Sequence, residues 1–128
     1  KIISQQPHNL IPIYLAAADI LILPNTAKED ISKYYTSPIK MFEYLASRRP
    51  VIAADLPSIR EIVNESEVSF FEPDNPEDLA KKIQFLTDNI TLQQEKVERG
   101  YEKVKGYTWD TRAKKIVDFL EQDDRIQK

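Results

Sequence analysis

The segment SPIKMFEYLASRRPVIAAD, residues 37–55, sets the fold class. Ser37-Pro38 reads as an N-cap followed by the first helical position, where proline's missing N–H costs nothing. Met41, Phe42, Leu45 and Ala46 then recur at helical spacing, which predicts a helix with one apolar face. Pro50 closes that stretch, and Val51-Ile52-Ala53-Ala54 follows as an apolar run without polar alternation. A strand of that kind is covered on both faces, which is the condition of a parallel sheet flanked by helices.

The same alternation extends in both directions. Upstream, Leu10, Ile13, Tyr14 and Ala17 fit a helix with Asn9 as N-cap and Pro12 in its first turn, and Ile20-Leu21-Ile22-Leu23 is a second strand. Ile2-Ile3 reads as the remnant of a further strand. Downstream, Ser58-Ile59-Arg60-Glu61 fits a capping box, and Val68-Ser69-Phe70-Phe71 is a strand stopped by Pro73. Asn75-Pro76-Glu77-Asp78 opens a helix with Leu79, Ile83 and Leu86 on its inner face. Val97, Tyr101 and Val104 mark another helix, and a last one starts near Thr108 with Trp109, Ala113, Ile116 and Leu120 on one stripe. Trp109 is expected in the core, and Asp19 is expected to make a structural hydrogen bond. The order of elements predicts an α/β, doubly wound, Rossmann-like parallel sheet.

Composition narrows the function. The 128 residues amount to one domain or part of one, and the opening Lys1-Ile2-Ile3 reads as mid-strand, so residues 1–128 are expected to be a fragment of a larger protein. Eighteen basic against 21 acidic residues, a net charge of −3, argue against wrapping nucleic acid. The absence of cysteine excludes disulfides, thiolate metal sites and a Cys nucleophile. One histidine excludes multi-His zinc sites, and two late glycines exclude a Gly-rich phosphate loop. His8 reads as a solvated or capping loop residue.

Thr36 to Tyr44 is the stretch that can carry chemistry. A helix opening at Ser37 offers the free N–H groups of Ile39 and Lys40 and the positive end of its dipole to a phosphate. Lys40 adds a point charge, and Glu43, three residues on, can accept two hydrogen bonds from a ribose. The long loop from Asn25 to Thr36 leaves the carboxyl end of a strand, where ligands bind in such sheets. The same residues also fit a plain Ser-Pro helix start with a surface Lys–Glu pair. Arg60 and Glu61 follow another strand end, where a ligand can be touched, but Glu61 reads first as the closing residue of the capping box. The pairs Lys81-Lys82 and Lys114-Lys115 are exposed helix positions and weak attractors for an acidic bilayer.

Four stretches together carry a family resemblance. Ala17-Ala18-Asp19, the Ile20–Leu23 run and Pro24-Asn25 resemble an "aaaD-strand-P" element, and residues 42–53 resemble an "E-A-M-A-x-G-x-P-V-I-A" signature beginning at Glu43. Residues 55–63 are similar to "D-x-x-x-x-x-E-I-V", and residues 71–80 to a "p-x-d-p-e-x-L-A" turn and helix. In order and spacing the chain resembles the C-terminal domain of the GT-B glycosyltransferases, of the retaining group 1 or family 4 type. The resemblance implies the donor-binding part of an enzyme that moves a sugar from a nucleotide-diphosphate sugar, UDP- or GDP-linked, to a glycan or lipid-linked acceptor. It implies no separate cofactor and no metal. It implies a cytoplasmic location, at the inner face of the membrane where contact is peripheral, and an acceptor bound by an N-terminal domain.

By the same resemblance Glu43 is the second acid of E-x7-E, which holds the donor's ribose. Thr36, Ser37, Pro38, Ile39 and Lys40 form the loop that meets the donor's sugar and diphosphate. Lys40 takes the catalytic part of stabilising the departing diphosphate. The sequence departs from the family where the first acid should stand, at Tyr35, and where Gly-Phe-Gly should follow, at Thr36-Ser37-Pro38. Arg49 stands where a small residue is expected before Pro50. The basic pair and Gly loop that open the family's domain are missing, so the fragment alone is expected to be inactive. The Tyr35 departure also fits a second reading, a catalytically inactive nucleotide-sugar-binding or interaction module. An epimerase of the same fold fits the Glu43 region less well.

Overall fold

The computed structural model describes the backbone of residues 1–126 and the side chains of residues 1–121. Three strands form a parallel sheet in the order β1 (Leu21–Leu23), β2 (Val51–Ala54), β3 (Ser69–Phe71). Leu21 lies opposite Val51, and Ile52 opposite Ser69. All four β2 residues are buried, which is why that run carries no polar alternation. Helices α1 (Ile11–Ala17), α2 (Ile39–Ala46), α3 (Pro57–Arg60), α4 (Pro76–Asp88), α5 (Ile90–Val104) and α6 (Trp109–Ile126) connect and flank the strands. Met41, Ile52, Leu56, Ile59, Leu86, Val63 and Val68 are the largest wholly enclosed side chains, and they define one core between the sheet, α2, α3 and α4.

α5 approaches α2 so closely that one residue has no room for a side chain. A Cβ on Gly100 would lie 2.7 Å from Cδ2 of the buried Leu45. On the same face of α5, the Lys96 ammonium reaches the sheet and donates to the carbonyl of Val68 at 2.8 Å and to that of Glu65. Burial lowers its proton affinity, and the backbone oxygens compensate for the lost water.

Several expectations are corrected. Ile2 and Ile3 form no strand and are exposed, because two apolar residues offer too little pairing to offset chain ordering. Asn9 caps nothing: a 3-10 turn at His8–Leu10 leads directly into α1. α2 starts at Ile39, one residue late, since Pro38 holds an extended ψ of 109° and itself occupies the N-cap position. Ser58 closes no capping box. Pro57 already opens α3, so Ser58 falls inside the helix, where it is buried and donates to the carbonyl of Ser32 at 2.9 Å. Asp19 makes no side-chain hydrogen bond among the described residues, and it is exposed at the entry to β1. Trp109 is 80% exposed, and Ile116, Phe119 and Leu120 share its exposure; helical period located the stripe but not the direction in which it points. The left-handed residue between α2 and β2 is Arg48 (φ 54°), not Arg49. That backbone turn lays the Arg48 guanidinium 3.9 Å from the centre of the Tyr101 ring, while Arg49 reaches back to the carbonyl of Ala16 at the end of α1. Asn75 does cap α4, accepting from the Asp78 amide at 3.0 Å.

The α2–α5 approach gives a direct stability test. Gly100→Val forces a branched side chain against Leu45, and overpacking of this kind costs about 1–3 kcal/mol. Chemical denaturation should show a clearly lower midpoint; an unchanged midpoint would mean that α5 does not seat on α2 as described.

Candidate functional site

The carboxyl ends of the parallel strands all lie at one edge of the sheet, and the loops leaving them meet there. The longest, residues 24–38, is held at three points. Asp74, in the turn after β3, adopts a left-handed φ of 61°, a conformation that Asp tolerates. Its carboxylate accepts from the Thr26 hydroxyl at 2.8 Å and from the Ala27 amide at 3.0 Å. These two donors, the hydroxyl first, hold the Asp74 carboxyl below the usual carboxylate range. Further along, the carbonyl of Ser32 receives the buried Ser58 hydroxyl. A single π turn at Ile31–Tyr35 then carries the chain back, and the Thr36 hydroxyl closes it by donating to the Ile31 carbonyl at 2.8 Å.

This loop delivers the start of α2. Pro38 is buried, and the amides of Ile39 and Lys40 have no acceptor among the described residues. One turn along, Glu43 lines a groove of about 290 Å³ between α1 and α2, together with Ala46 and Ser47. The opposite wall is His8, Ile11, Pro12, Leu15 and Ala16, largely apolar. Tyr44 beside it is pushed up in pKa, by burial first and then by the charge of Glu43.

The residues singled out from sequence are therefore not all in one place. Glu43 faces the groove. Ser37 and Ile39 face a second cavity, of about 510 Å³, on the other flank of α2. Lys40 is exposed beside the free amides and lines neither space. The Thr36 hydroxyl is committed to the loop, and Pro38 positions backbone rather than presenting a group. Tyr35 is 79% exposed on the loop, with its ring edge-on to Tyr34 at 6.2 Å. Arg60 is engaged by Asp55 and by Glu65 (2.6 Å) and stacks over Phe70, so it holds the β3 end rather than a ligand. His8, read from sequence as merely solvated, is exposed but forms an edge of the Glu43 groove. Its position against α2 is a contact between segments 35 residues apart, and no local pattern carries it.

Residues 2–89 match the family of group 1 glycosyl transferases. The chain belongs to that family. A phosphatidyl-myo-inositol mannosyltransferase of Mycobacterium tuberculosis is 28% identical over 112 residues, which are 84% of this chain and 28% of that protein. The group 1 chain thus spans less than a third of the length of such relatives. Among solved structures, sucrose-phosphate synthase from Thermosynechococcus elongatus superposes with a TM-score of 0.79 at 20% identity, over 98% of this chain and 30% of that one. The Anabaena protein HepE, solved in complex with UDP, gives 0.72 at 19% identity, over 88% of this chain and 30% of that one. The fold is that of the C-terminal, Rossmann-like domain of GT-B glycosyltransferases, and the parallel sheet agrees with the expectation from sequence.

The loop clasp is pH-dependent in a defined direction. A carboxylate whose pKa is depressed on folding contributes its stabilisation above the ordinary carboxylate range and loses it as pH falls through the depressed value. The Ala27 amide resonance should move upfield as pH falls below the ordinary carboxylate range and Asp74 is protonated, and Asp74→Ala should abolish the transition. A pH-independent Ala27 shift in the unaltered protein would show that the clasp does not form.

Proposed function

We propose that this chain is the donor-binding domain of a retaining glycosyltransferase, and that the donor is a nucleotide-diphosphate sugar. The observation that carries the reading is the arrangement on α2: two free amides at its start and, one turn on, a carboxylate facing an apolar groove. Phosphate oxygens are acceptors that suit unpaired N–H groups at the positive end of a helix. A ribose diol suits Glu43, which offers acceptors only when ionised. The apolar wall of Ile11, Pro12, Leu15 and Ala16 gives a planar base a surface to lie on, with His8 at its edge. UDP in HepE and the mannosyltransferase relatives are in keeping with a diphosphate donor; on that reading the leaving group is UDP or GDP.

In the proposed reaction the bond between the sugar's anomeric carbon and the diphosphate breaks, and negative charge builds on the departing diphosphate. The α2 amides and the Lys40 ammonium stabilise that charge. The acceptor, a glycan or a lipid-linked sugar, comes from outside this chain, at a second domain. No residue of this chain is assigned as general base, and the chain by itself is proposed to be inactive in transfer. The loop's exposed Tyr35, in place of an acid, supports one rival: a binding module that has kept the fold and lost the reaction.

Calorimetric titration with UDP and with GDP tests the binding reading. One of the two should bind with 1:1 stoichiometry. Lys40→Ala should raise its dissociation constant by roughly tenfold, as expected for loss of a charge-assisted hydrogen bond of about 1.5 kcal/mol. Glu43→Ala should weaken it by a similar factor. If neither diphosphate binds, the donor reading fails. If one binds but both variants leave its affinity unchanged, the nucleotide does not lie on α2. Sugar transfer by the 128-residue chain alone would overturn the assignment of an inactive half-site.

A further inference from the structure

The larger cavity, on the flank of α2 away from Glu43, has a lining chemistry of its own. Ser37 and Ile39 form one side, and the turn into α6 forms the other with Tyr107, Trp109, Arg112 and Lys115. The rings of Phe42 and Tyr107, 5.0 Å apart, make a continuous apolar patch across the two sides. No carboxylate lines the space, although acidic residues outnumber basic ones in the chain, 21 to 18. Arg112 and Lys115 stand three residues apart on α6, hence on neighbouring parts of one face, and neither forms an ion pair among the described residues. The volume of about 510 Å³ is that of a small-molecule site.

An occupant of this space must bring negative charge to two adjacent cations and a face that lies on aromatic rings. A guanidinium and an ammonium side by side match a phosphoryl group, the first as a fork and the second as a point charge. The exposed indole of Trp109 offers a flat apolar surface, and the C–H-bearing face of a pyranose is the complementary one. The Ser37 hydroxyl, free of any partner among the described residues, adds a donor and acceptor at the far wall. We propose that the cavity between the start of α2 and the first turns of α6 binds a glycosyl phosphate, with Arg112 and Lys115 holding the phosphoryl group and Trp109 covering the sugar. That ligand is either the sugar-phosphate end of the donor itself or a phosphorylated acceptor. Binding in this cavity does not depend on a nucleotide lying in the Glu43 groove; only the choice between the two sources rests on that reading.

Trp109 is the only tryptophan in the chain, so its emission reports occupancy of the cavity directly. Glucose 1-phosphate should change that emission saturably, and glucose at the same concentration should not. Arg112→Gln with Lys115→Gln should raise the dissociation constant roughly tenfold or more, with an unaltered thermal midpoint because both side chains are exposed. Lys115→Glu is a second variant that should weaken the same titration if the double one is poorly folded. Repeating the titration with saturating UDP or GDP assigns the source: loss of the signal makes the ligand the donor's own glycosyl diphosphate, and a persistent signal makes it a phosphorylated acceptor. The absence of a saturable change, or equal affinity in the charge variants, overturns the proposal. Failure of UDP and GDP to bind would leave the glucose 1-phosphate result standing and refute only the nucleotide reading.

Discussion

The structure depends on the enclosure of β2. Val51, Ile52, Ala53 and Ala54 expose at most 2% of their surface, so both faces of the strand are covered and its neighbours must be reached by crossovers. Parallel order follows, and with it the gathering of every strand's carboxyl end at one edge. That is what lets the turn after β3 reach the loop after β1. Asp74 bridges 48 residues of sequence to grip Thr26, and Ser58 bridges 26 to grip Ser32. A polar loop of this length would otherwise sample many positions. Held by these bonds, it presents the start of α2 in one orientation, with Pro38 buried and two amides left over.

The strands were legible because a doubly covered strand leaves a mark that survives without any structure: Leu21–Leu23, Val51–Ala54 and the apolar end of β3 interrupt helical spacing and contain no polar alternation. Asn75 was legible because its capping bond is local, to an amide three residues away. Ser37 and Ser58 fit the same capping pattern and do something else. In each case an adjacent proline fixes where the helix begins, before Pro38's successor in one and at Pro57 in the other, and leaves the serine outside the N-cap position. Trp109 shows the limit of periodicity. A stripe at 3.6-residue spacing says that one face is apolar, and says nothing about what lies against it.

Within the site, spacing was enough to associate Glu43 with the amides one turn above it. It was not enough to divide the helix between two spaces. Ile39 and Phe42 lie on one flank of α2, and Glu43, Ala46 and Ser47 on the other. The residues that complete each space come from α1 and α6, segments far away in sequence: His8 and Leu15 for one, Arg112 and Lys115 for the other. Neither set has a local signature, because each becomes meaningful only when α2 is placed against it.

Tyr35 ties these observations together. The family resemblance places an acid there, and a carboxylate so close to a diphosphate would hold sugar hydroxyls while repelling the phosphates. A neutral phenol removes the repulsion and leaves one oxygen, which both donates and accepts, in place of two anionic acceptors. On the proposed reading the chain then needs another means of holding the sugar. Apolar stacking is the means that the further proposal supplies: Tyr35 and Trp109 are both large exposed rings, and the second of them lines the cavity that Ser37 and Ile39 also line. On the proposed reading, the absence of an acid at Tyr35 and the cations and rings that line the α6 cavity belong together, with the glycosyl group held on an aromatic face in place of a carboxylate.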